Sequence, residues 1–275
     1  MPPAKKAAAA SPGSAPSVTA EPVRTFLPIT LHAVLDEPET GAFDSEEAYL
    51  KTLEALVTLE VQAYKLTLEV NQRATSFASR EFGDAGSSGV HKAMDDSYPL
   101  CKQWVERLRK RVEVRGALPL KGTKLKARFV RVCDVYELSP TEGRILAALL
   151  MLRASHAFTA VKIGSPMGYG GGGGMYGGSG TKSGVTIASI LGVSLTEISA
   201  FQKPERRHVK QGVLVPGVQL LTELPNLQQE AVLLLIALPL TESQVFNIEK
   251  TDLMRVLREE PGFDEVLANA CAGGG

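Results

Sequence analysis

Between residues 164 and 184, eleven of twenty-one positions are glycine, five of them consecutive from Gly170 to Gly174. A segment so free in both backbone dihedrals cannot offset the entropy of ordering itself and contributes no core. The packed parts of the chain must therefore form on either side of it. Within this tract, Gly177-Gly178-Ser179-Gly180-Thr181-Lys182-Ser183 imitates a phosphate-binding loop. That motif needs glycine directly before the lysine, where Thr181 stands, and a strand leading in, where only glycine-rich sequence is found. No nucleotide or other cofactor is expected.

The 275 residues are 44% hydrophobic, enough for one or two packed domains, so a wholly disordered chain is excluded. Lys+Arg and Asp+Glu each number 30, so no global field drives the chain onto nucleic acid or anionic lipid, and any such binding must be local. Three scattered cysteines, Cys101, Cys133 and Cys271, make neither a disulfide framework nor a metal cage, which suits a reducing intracellular compartment, cytoplasmic or nuclear. The longest apolar runs, residues 145–152 and 231–238, fall short of the roughly 20 residues that span a bilayer. No membrane association is expected, and no catalytic or metal-ligating constellation is visible; His32, His91, His156 and His208 read as ordinary structural or exposed residues.

Residues 1–26 read as a disordered tail, because Ala, Pro and Ser dominate its first twenty positions and no aromatic residue occurs there. A transit peptide is the alternative for that stretch, and organelle targeting comes with it. Residues 27–132 read as a helical region with a basic second half. Asp44 followed by Glu47 has capping-box spacing and opens a helix to about Asn71, striped by Tyr49, Leu53, Val57, Val61 and Leu68. Glu60 intrudes on that stripe and reads as an edge residue reaching solvent. Residues 79–98 read as a linker, after which Pro99 suits the first turn of a second helix that ends before Gly116.

Basic residues crowd that second helix and the sequence beyond it: Lys102, Arg107, Arg109, Lys110, Arg111, Arg115, Lys121, Lys124, Lys126, Arg128 and Arg131. Between His91 and Arg131, twelve Lys/Arg face four acids. Such a patch could follow a phosphate backbone with steep salt dependence. The alternative is a solvated helix face balancing the acidic stretch at residues 36–60. The second is favoured, because few aromatic side chains interleave with the charges as a single-strand binder requires.

Residues 133–268 carry the clearest organisation. Ser139-Pro140-Thr141-Glu142 is a helix start with a capping box and a first-turn proline, followed by the apolar run at residues 145–152. After the glycine tract, Ala188, Gly192 and Ile198 have helix-turn-helix spacing: a small residue for close approach, glycine for the turn and an aliphatic plug. Ser194 and Glu197 form a second capping box. Residues 208–215 and 218–221, around Pro216-Gly217, suit a two-stranded wing. Residues 226–239 then read as an apolar helix, Thr241 and Ser243 start another, and an amphipathic segment runs through Leu257. Residues 269–275 read as a disordered end. The fold class expected is mainly α: a helical N-terminal part plus a winged-helix domain, that is, a helix-turn-helix with a small β-hairpin.

The helix that would read bases, at residues 194–202, offers Glu197 as its only charged side chain, which disfavours operator reading. Lys203, Arg206, Arg207 and Lys210 could still touch phosphates. The 138–142 helix start, the 187–194 segment and the Gly212-Val213-Leu214 wing together resemble the winged-helix region that precedes the motor in certain bacterial-type AAA+ ATPases. The resemblance implies a non-catalytic protein-interaction or regulatory module with an AAA+ motor as partner. In that family an ATPase core follows, with a phosphate-binding loop and an acidic metal-binding motif; neither is found up to Gly275, so ATP hydrolysis does not transfer. The alternative is a nucleic-acid-binding winged helix using the basic residues named above.

Overall fold

A computed structural model describes residues 29–77, 88–158, 183–217 and 224–272. The expected tail, the glycine-rich stretch up to Lys182, the phosphate-loop imitation, the proposed wing strand at 218–221 and the final Gly273–Gly275 lie outside them. The described residues are mainly helical, with one two-stranded sheet.

Helix α1 (Ile29–Leu35) leads into the long α2 (Glu46–Phe77). Ser45, rather than Asp44, starts α2: its hydroxyl accepts the Ala48 amide at 3.2 Å, while Asp44 pairs outward with Lys121 at 3.2 Å. Glu46 and Glu47 in the first turn suit the positive end of the helix dipole. Two cores share α2. Tyr49, Leu53, Val57 and Val61 enter the larger one, while Ala55, Leu56 and Leu59 pack in a smaller one with Leu31, Val34, Leu35, Cys101, Val105 and Leu108.

Helix α3 (Ser88–Gly116) packs along α2. It starts well ahead of Pro99, so part of the expected linker is helix and Pro99 sits in the interior, where it has no amide to donate. Gly116 is the last helical residue rather than one beyond the end. A Cβ there would come within 3.2 Å of the Tyr49 ring, so any larger residue would press on that ring where α2 and α3 approach.

Helix α4 (Arg128–Val135) spans the boundary drawn between residues 132 and 133. Helix α5 (Pro140–Ala154) opens with the capping box of Ser139 and Glu142, the two reciprocal bonds measuring 3.3 and 2.9 Å. Every residue from Ile145 to Met151 is buried, so α5 is covered on all sides and runs through the larger core. Helices α6 (Ser183–Leu191) and α7 (Leu195–Phe201) flank a turn at Gly192, whose φ of +63° suits a residue without a side chain. The Val193 amide closes that turn on Ala188 O at 2.9 Å, and Ser194 and Glu197 form the capping box of α7. Ala188 and Ile198 are both buried in the larger core.

Beyond α7 the strand pattern departs from expectation. His208 lies in a short helix, α8 (Arg207–Lys210), and β1 (Leu214–Val215) pairs antiparallel with β2 (Asn226–Leu227) in the register Leu214↔Leu227 and Val215↔Asn226. The expected first wing strand, 208–215, is thus helix and turn before it is strand. Asn226 belongs to β2, and the apolar helix, α9 (Gln229–Leu235), begins after it. Helix α10 (Glu242–Asn247) starts at the Thr241 cap. The segment through Leu257 breaks where the Thr251 hydroxyl donates to Ile248 O at 2.7 Å, and α11 (Leu253–Arg258) and α12 (Phe263–Ala272) follow.

Candidate functional site

The deepest concentration of charge lies on α2. Glu60 is 3% exposed, so the expectation of an edge residue in solvent is overturned. A carboxylate so far from water must be paired. Its Oε1 accepts from Arg109 Nε at 2.9 Å and Nη2 at 2.8 Å, and from Arg144 Nη2 at 3.0 Å. The same Arg144 Nη2 donates to Leu191 O at the end of α6. One carboxylate therefore ties α2, α3, α5 and α6 together. Arg109 spends its remaining donor on Glu106 at 2.7 Å. Arg144 does not: its Nε is buried without an acceptor among the described residues.

Two cavities meet at this junction, and Glu60, Arg109 and Arg144 line both. One, of about 640 Å³, has Tyr64, Thr67, Tyr98 and Lys102 on its wall beside Val105, Ile190 and Leu191. There the Tyr98 hydroxyl is held below its ordinary range by hydrogen bonds with Lys102 and Thr67. The other, of about 420 Å³, is walled by Leu53, Leu56, Val112, Phe129, Val130 and Leu138. Cys133 also lines it, and burial pushes that thiol up to about 12, so it remains protonated and unreactive at neutral pH. Among the described residues no group of three or more His, Cys, Asp or Glu could hold a metal ion, and no helix is long and apolar enough to cross a membrane.

Much of the basic stretch is engaged within the fold. Arg111 is 1% exposed, with Nη1 donating to Val34 O and Nη2 to Leu35 O at 3.3 Å, so it closes the C-terminal carbonyls of α1. Burial lowers its pKa. Every guanidinium nitrogen of Arg115 has an acceptor: Nε donates to Gly41 O at 3.2 Å, Nη1 to Glu37 at 2.9 Å and Pro38 O at 3.3 Å, and Nη2 to Ala42 O at 3.3 Å, while the guanidinium lies 4.0 Å from the Phe43 ring centre. Arg131 joins Glu260 and Glu259 and donates to Val256 O at 3.1 Å. Arg128 pairs with Glu260 at 3.0 Å, and its amide meets the half-buried Glu46 carboxylate at 2.9 and 3.0 Å.

Nearer the surface, Arg107 pairs with Glu39 at 2.7 Å and holds that carboxyl below its usual range. Lys121 pairs with Asp44, Lys126 with Asp134 at 2.8 Å, Arg206 with Glu142 at 2.6 Å, and Arg207 with Asp252 at 2.7 Å. Lys102 stands 4.6 Å from the Tyr98 ring centre. Lys110, Lys124, Lys203 and Lys210 are exposed and make no ion pair among the described residues. The basic residues named from sequence are therefore spread over several faces and partners.

Behind α7, His208 stacks on Phe201 with ring centres 4.6 Å apart, and its Nε2 lies 2.7 Å from Phe201 O. Burial lowers its pKa, so the ring stays neutral and secures the end of α7. No family model, curated protein or solved structure matches the chain.

Sequence reasoning singled out Glu60 and Arg109 but missed Arg144. Its one signal was a cation between a helix cap and an apolar run, the first turn of a helix whose remainder is buried.

Proposed function

We propose that this chain is a non-catalytic interaction and regulatory module of winged-helix type, of the kind that precedes a bacterial-type AAA+ motor, and that its partner is a protein. The order α5, α6, α7 and then a short antiparallel pair supports the winged-helix reading, together with Gly192 at φ +63° and Ala188 and Ile198 in the core. The observation that carries the choice of partner is the use of the arginines. Arg111, Arg115 and Arg131 are buried on carbonyls and carboxylates, and α7 turns Thr196 and Glu197 outward. A phosphate backbone attracts free cations, and most of the basic residues named from sequence are already engaged within the fold.

Lys110, Lys124, Lys203 and Lys210 keep the nucleic-acid reading in play as the alternative. Two measurements on the full chain separate the readings: co-sedimentation with a purified bacterial-type AAA+ motor core, and a gel shift with a DNA duplex between about 50 and 200 mM salt. The proposal expects association with the motor and no shift of the duplex at the lowest salt. Duplex binding that weakens steeply with salt, without association with the motor, overturns it.

A further inference from the structure

We propose that His208 is an acid-released latch: protonation of its ring lets the corner that runs from Phe201 through α8 to β1 open away from the core while α2 and α3 stay folded. The ring is 3% exposed and lies between two others, stacked on Phe201 at 4.6 Å and edge-on to Tyr136 at 6.1 Å. Its Nε2 meets Phe201 O at 2.7 Å, and since a carbonyl can only accept, Nε2 carries the hydrogen of the neutral ring. Nδ1 is then a bare lone pair, buried with no partner among the described residues.

A proton on Nδ1 would create a donor without an acceptor, on a cation withdrawn from water. Stacking on Phe201 offsets only part of that cost. The charges nearby do not remove it. Arg206, just ahead of α8, opposes a proton and Glu142 of α5 favours one, and the two pair with each other at 2.6 Å. On α8 itself, Arg207 pairs with Asp252 and Glu137, and Lys210 adds only like charge. Tyr136, at the end of α4, donates its hydroxyl to Gln211, and burial keeps it protonated. β1 brings no titratable group.

The elements that the ring secures are short. α7 has seven residues, α8 four and β1 two, too few to persist unpacked. The His208 carbonyl also accepts the Val213 amide at 2.9 Å, so one residue ties α8 both to the end of α7 and to the approach to β1. By contrast, α2 and α3 meet in a smaller core that contains no residue of this corner. Opening therefore stops at the corner, and it uncovers Phe201, Val213 and Leu214, which are shut from water while the ring is neutral.

The test is hydrogen exchange of the full chain at pH 7.5 and 5.5, read by mass spectrometry and corrected for the intrinsic effect of pH. Once released, the ring takes a proton at its ordinary value of 6.5, so opening of residues 202–213 should be about tenfold more frequent at pH 5.5. At that pH they should also open about tenfold more often than residues 100–112 of α3. His208→Gln keeps a donor for Phe201 O but has no ring to protonate, and should cut the pH effect to under about twofold. No rise in opening between the two pH values, opening of residues 202–213 no more frequent than that of α3 at pH 5.5, or a rise that survives in His208→Gln would each overturn the proposal. The first two outcomes need no variant, so they decide the matter even if His208→Gln fails to fold.

Discussion

Arg115 and Arg144 are arginines at helix junctions with opposite accounts. Around Arg115, each guanidinium nitrogen meets a carbonyl or carboxylate of residues 37–42 and the Phe43 ring backs the plane, so the side chain is consumed in holding that loop against α3. Around Arg144, Glu60 and the Leu191 carbonyl share a single nitrogen, Nε has no acceptor, and two cavities open beside it. The first junction is closed and its chemistry is structural. The second leaves a buried donor unmatched. Positive charge in a sequence therefore says little about binding until its acceptors are counted.

The largest effect is expected at the closed junction. Arg115→Met leaves the carbonyls of residues 38, 41 and 42 and the Glu37 carboxylate without their cation, and should cost about 3 kcal/mol in urea unfolding. Arg144→Gln should cost about half as much, roughly 1.5 kcal/mol, because its side chain is partly solvated and its donors are only partly used. If the two variants cost the same, the distinction between closed and open junctions fails. Ser194→Ala removes the capping box next to the turn that Arg144 holds and should cost about 1 kcal/mol by the same assay. A loss well above that would mean α7 depends on its cap more than on its core contacts.

The smallest effect concerns pH. Burial lowers the pKa of His208, so the unfolded chain takes up a proton at a higher pH than the folded one. The neutral ring's contribution is whole above its ordinary value of 6.5 and declines as pH falls below that. The urea midpoint should drop between pH 7.5 and 5.5, and His208→Gln should show a smaller drop. An identical drop in both would assign the pH dependence elsewhere.

What could be read from sequence followed the range of the interaction involved. The Ser139 and Ser194 capping boxes and the positive-φ glycine at 192 obey rules spanning three or four residues, and those helix starts stand where the residues put them. Pairing across distance was not legible. Leu214 and Val215 pair with Leu227 and Asn226, because strand register depends on where the chain returns and not on turn propensity alone. Glu60 looked like a solvent-facing edge because its partners lie far along the chain, at Arg109 and Arg144. The basic stretch looked like a surface for the same reason: the acids and carbonyls that hold Arg115, Arg128 and Arg131 come from residues 37–42 and from the C-terminal helices.

Arginine-resolved nitrogen NMR of the full chain, with Nε–H signals assigned by the Arg115→Met and Arg144→Gln variants, tests the contrast between the two junctions most directly. The Arg115 Nε–H, bonded to Gly41 O, should exchange with water more slowly than the Arg144 Nε–H, which has no acceptor among the described residues. An Arg144 Nε–H as slow to exchange as that of Arg115 would contradict the account.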